Sequence, residues 1–73
     1  MSEEEIIKEI MKIVSEKPLR ALEIKKELSK RGIAISYKRL VEILNEMVER
    51  NKIKKKPFKC ALVYYSENVK NTI

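Results

Sequence analysis

The chain contains no histidine, no aspartate, no tryptophan and no glutamine, and its 73 residues include one cysteine, Cys60, and one glycine, Gly32. These absences exclude most catalytic chemistry. Without His and Asp there is no Ser-His-Asp triad, no histidine general base and no metal site built on two or three imidazoles. One Cys makes neither an internal disulfide nor a cysteine-rich zinc site, so packing alone must hold the fold. Cys60 has no partner base and is expected to be an inert, small apolar strand residue. An enzyme is therefore not expected, nor is any catalytic residue, cofactor or metal. Long apolar runs are also missing: none approaches the roughly 18 residues that a bilayer span requires. The acidic start, residues 1–5, lacks the apolar stretch of a secretory signal. The expectation is a soluble, cytoplasmic protein with no membrane partner. At 8.6 kDa there is room for one domain, placed at residues 1–66 with a polar tail at 67–73.

What is present is charge, unevenly distributed. Seventeen Lys and Arg oppose 11 Glu, for a net +6. Residues 1–16 hold five Glu against two Lys, a balance of −3, so the remainder carries +9. Arg50, Lys52, Lys54, Lys55, Lys56 and Lys59 fall within ten residues that include no acid. Like charges at this density repel one another unless a polyanion or solvent takes up the field. The run is read either as a nucleic-acid contact or as a solvated lysine-rich surface.

Apolar periodicity supplies the architecture. Ser2 with Glu5 fits a capping box, and Ile6, Ile7, Ile10, Met11, Ile13 and Val14 recur at three and four, which predicts a first helix over 3–16 that Lys17-Pro18 ends. Its stripe spans about 160°, wider than one contact needs. Ile6, Ile7, Ile10, Met11 and Val14 are thus either core or the face of a homodimer. Residues 19–21 suit a short extended segment. Leu22, Ile24, Leu28 and Ile33 mark the inner side of a second helix over 21–30, stopped at Arg31-Gly32. Ser36 is a good N-cap for a third helix over 36–50. Around Tyr37, taken as the centre of its apolar arc, fall Leu40, Val41, Leu44, Met47 and Val48; Ile43 falls outside that arc, and Glu42, Glu46 and Glu49 run along the other side. Asn51 closes the helix. Residues 53–56 and 60–65 read as two strands joined by Pro57-Phe58-Lys59. The fold class is mainly α with a small β-hairpin.

Three helices followed by a basic hairpin is the order of a winged helix-turn-helix domain. The sequence resembles that superfamily in Glu23-Ile24-Lys25-Lys26-Glu27-Leu28, in Gly32, in Ser36 with Leu40, Leu44 and Met47, and in Ile53 at the opening of the wing. It looks most like the small archaeal-type DNA-binding members. The third helix and short wing are also similar to the C-terminal winged helix of archaeal replicative helicases. Ala61-Leu62-Val63-Tyr64-Tyr65 resembles the strand that ends a winged-helix ribosomal protein, a family that opens on a lysine-rich extension where this chain is acidic.

The resemblance implies a double-stranded DNA partner, a transcription-regulating role and association with the nucleoid. Ser36, Tyr37, Lys38 and Arg39 would form the first turn presented to the major groove, with Arg39 on a guanine edge and Glu42 accepting from cytosine. Tyr37 also suits a core-packing role. Lys54, Lys55, Lys56 and Lys59 would hold phosphates. Dimerisation would place a second half-site about 34 Å away. The acidic row Glu42, Glu46 and Glu49 favours the alternative, a protein-interaction winged helix in a replication, transcription or ribosomal assembly.

Overall fold

A computed structural model describes residues 2–66, so the proposed tail at 67–73 lies outside the described residues. Three helices, α1 (Glu3–Glu16), α2 (Ala21–Lys30) and α3 (Tyr37–Glu49), precede an antiparallel hairpin of β1 (Lys54–Phe58) and β2 (Ala61–Tyr65). The layout is winged-helix-like and mainly helical.

Local chemistry sets each boundary. The Ser2 hydroxyl accepts the Glu5 N–H at 3.3 Å, and three glutamates occupy the first turn of α1, where the helix dipole favours them. At α2 the Glu23 carboxylate accepts the Arg20 N–H at 3.0 Å. Both α2 and α3 end with a backbone turn in which a residue of positive φ lets two successive N–H groups reach back to orphan carbonyls. Gly32 (φ +83°) donates to Ser29 and Ile33 donates to Leu28; Asn51 (φ +60°) donates to Val48 and Lys52 to Met47. Gly32 and Asn51 thus stop their helices for the same reason.

The core lies where the three helices meet the root of the hairpin. Ile10, Val14, Ile24, Leu28, Leu40, Leu44 and Ile53 are fully enclosed there, with Tyr64 covering one end. Ile10 and Val14 are therefore spent on the chain's own core and cannot face a second copy, which corrects their place in the expected dimer stripe. Ile6, Ile7 and Met11 pack against the same core and remain half-buried.

Three further expectations about burial are corrected. The buried line of α3 runs through Leu40, Ile43, Leu44 and Met47, so its centre lies about 70° from Tyr37 at 100° per residue. Ile43 is thereby buried, and Tyr37 sits at the rim, half exposed. On α2 the inner line is Ala21, Ile24 and Leu28, and Leu22, about 100° beyond Ala21, points outward.

The hairpin also differs from its expected form. Phe58 pairs with Ala61, so a two-residue turn, Lys59-Cys60, replaces the three-residue connection, and Cys60 lies exposed in the turn and not in a strand. Lys59 takes the positive φ (+59°) that such a turn requires. Pro57 fits inside β1 because ladder bonds alternate. The closing pair Phe58–Ala61 exchanges bonds and the next, Pro57–Leu62, does not, so no N–H is required of Pro57. The same alternation turns the backbone of Tyr64 away from β1, where its N–H donates to the Leu19 carbonyl at 2.7 Å and its carbonyl accepts from Leu19 at 3.0 Å. The extended segment expected near residues 19–21 is this one-residue bridge at Leu19; Ala21 already belongs to α2.

Candidate nucleic-acid interface

Two groups of cations differ in what surrounds them. Among the described residues, the ion pairs Lys12–Glu9, Lys30–Glu27, Arg31–Glu9, Arg39–Glu3 and Arg39–Glu42 lie on the helices or at their caps, and none involves the wing. Lys55, Lys56 and Lys59 are exposed and have no carboxylate partner there. Lys54 is half-buried and already engaged.

Strand alternation sorts the wing residues by face. Lys54, Lys56, Phe58, Ala61, Val63 and Tyr65 share one side, and Lys55, Pro57, Leu62 and Tyr64 share the other. Tyr64 enters the core from the second side, and Val63 on the first side is buried as well, beside Leu19 and Arg20. Two lysines lean on aromatic rings: the Lys56 ammonium lies 5.0 Å from the Tyr65 ring centre, its diagonal cross-strand neighbour, and that of Lys59 lies 5.6 Å from Phe58. These contacts steady two long side chains while their charges stay at the surface. The wing thus presents cations on both sides of a narrow ribbon.

The first turn of α3 is arranged differently from the expectation. Ser36 serves as the cap, its hydroxyl accepting the Arg39 N–H at 3.1 Å. Lys38 is exposed and unpaired among the described residues. Arg39 is held from two sides, its Nη2 donating to Glu3 at 3.0 Å and its Nη1 to Glu42 at 3.1 Å. The Glu42 hydrogen bond, and after it the charge of Glu3, hold the Arg39 guanidinium above its ordinary pKa. Arg39 and Glu42, each expected at a base edge, hold each other here, and Arg39 ties α3 to the first turn of α1 through Glu3. With Glu46 and Glu49, the outer face of α3 carries two cations, Lys38 and Arg39, against three carboxylates. It is an acidic face beside a basic wing.

A third feature was missed by sequence reasoning. Leu22, Tyr37 and Leu62, all about half exposed, line one open groove of about 630 Å³ between α2, the start of α3 and β2. The only sequence signals were the phase of α2 and the alternation of β2. Burial, and secondly the nearby Tyr37, push the Tyr64 hydroxyl beneath it above the ordinary tyrosine value.

Neither a protein-family model, a curated protein nor a solved structure matches the chain. Among the described residues no three of His, Cys, Asp and Glu come together as a metal site, and no helix is long and apolar enough to cross a membrane.

Proposed function

We propose that the protein binds double-stranded DNA chiefly through its wing, in the manner of a small transcriptional regulator associated with the nucleoid. The supporting observation is the density of unpaired charge: every ion pair among the described residues lies on the helices or their caps, whereas Lys55, Lys56 and Lys59 stand exposed within five residues on a hairpin that contains no carboxylate. Free ammonium groups spaced along both sides of a ribbon suit successive phosphates, which position a protein on the duplex without reading its sequence. Lys38, at the exposed start of α3, adds a contact beside the groove, and the bases are read weakly because Arg39 is already held.

Changing Lys55, Lys56 and Lys59 together to Ala tests this. Each phosphate contact contributes about 0.9 to the slope of log affinity against log salt, so the slope should fall by roughly 3 and duplex affinity should drop by orders of magnitude at low salt. An unchanged slope and affinity would overturn the reading.

The acidic outer face of α3 favours a second reading, a protein-interaction winged helix within a replication, transcription or ribosomal assembly. It predicts no appreciable binding of random duplex even at low salt, which the same titration measures.

A further inference from the structure

We propose that the groove between α2, α3 and β2 is a docking site for an acidic amphipathic peptide segment of a partner protein. The proposal does not rest on DNA binding by the wing. Large apolar side chains usually turn inward, and contiguous exposed ones mark interaction sites. Here Leu22 is 57% exposed, Tyr37 50% and Leu62 47%, and they reach one groove from three different elements, with half-buried Val41 and Ala61 also lining it. No feature of local folding requires any of the three to be apolar. Leu22 lies outside the inner line of α2, Tyr37 at the rim of that of α3, and Leu62 on the second position of β2, one residue removed from the exposed turn.

Charge at the rim selects the occupant. Arg20 and Lys26 border the groove, Lys38 follows Tyr37, and Lys55 shares the wing side of Leu62; none has an ion pair among the described residues. Glu23 is the one acid of the lining, and its carboxylate is bound to the Arg20 N–H. A cationic rim around an apolar floor complements a helix with apolar side chains at a spacing of three and four and carboxylates on its flanks. A second copy of this chain is a poorer match, because its acidic helix α1 has buried Ile10, Ile13 and Val14 in its own core and packs Ile6, Ile7 and Met11 against it. Nucleic-acid bases are also a poorer match. They stack on flat rings, and of the three exposed side chains only Tyr37 has one.

The test uses the whole chain and two synthetic 14-residue helical peptides with the same leucine positions, one carrying Glu on its flanks and the other Lys. Titration is followed by backbone amide NMR shifts. The Glu peptide should shift Leu22, Tyr37, Val41 and Leu62 and bind at least tenfold more tightly than the Lys peptide. Leu22→Ser and Leu62→Ser, both surface changes whose folding is checked by circular dichroism, should each weaken it about tenfold. Phe58→Ser, an equally exposed apolar residue on the opposite side of the wing, should not. Equal binding of the two peptides, or shifts elsewhere, would overturn the proposal. So would groove shifts produced by protein concentration alone, which indicate a second copy, or by an oligothymidine in place of the Glu peptide, which indicate single-stranded nucleic acid.

Discussion

Tyr64 shows how much one side chain is asked to do: its ring closes the core while its backbone ties the wing to Leu19. Burial raises its hydroxyl pKa in the folded chain, and this has a consequence for stability. The native state keeps a proton that the unfolded chain loses at about pH 10. The contribution is therefore whole below that value and is lost as pH rises through the folded value. Tyr64→Phe should be less sensitive to alkali than the parent: with each referenced to its own midpoint at pH 7, the parent's denaturant midpoint should fall further than the variant's from about pH 9 to 11, so the difference between them grows. A constant difference across that range would show that the hydroxyl is not desolvated. Among individual residues, those whose role depends on neighbours in sequence were legible: Ser2 and Ser36 as caps, Gly32 and Asn51 as stops. Leu22 and Tyr37 were not, because an apolar residue at the edge of an arc looks the same as one at its centre until the helix has been set against its neighbours.

The third helix illustrates what periodicity leaves open. Its limits could be read from Ser36 and Asn51, but its rotation could not, and that rotation put Ile43 inside and Tyr37 at the rim. The Arg39–Glu42 half of the clamp follows from an i, i+3 spacing, whereas Glu3 lies 36 positions away and meets Arg39 only because the first turns of α1 and α3 come together. The clamp bears on binding. In Glu3→Gln with Glu42→Gln, Arg39 is released and two negative charges leave the start of α3. Duplex affinity should then rise several-fold at low salt, with little change in melting temperature because the pairs are about half exposed. Unchanged affinity would place the first turn of α3 outside the DNA contact. Among the strands, β2 was legible from its run of β-formers and the turn was not, because lysine is an uncommon residue at positive φ and nothing in the composition marks Lys59 for it.

Taken together, the chain separates into a helical body and a ribbon attached to it near one end. The division of charge noticed in the sequence, −3 over residues 1–16 and +9 beyond, follows that shape at its two ends, since three acids fill the first turn of α1 and lysines line β1. Hydrogen exchange should report the same division. Amides of Leu28 and Leu44, enclosed in the body, should exchange orders of magnitude more slowly than those of Phe58 at the tip, with Tyr64, bonded to Leu19, close to the body. Uniform protection along β1 and β2 would contradict it. The Leu19–Tyr64 bridge makes the ribbon a cantilever: one end is clamped by two hydrogen bonds and a buried ring, and the far end projects with its load of exposed ammonium groups. If the wing binds DNA as proposed, a ribbon held only at its root would grip phosphates and leave selectivity to the surfaces beside that root.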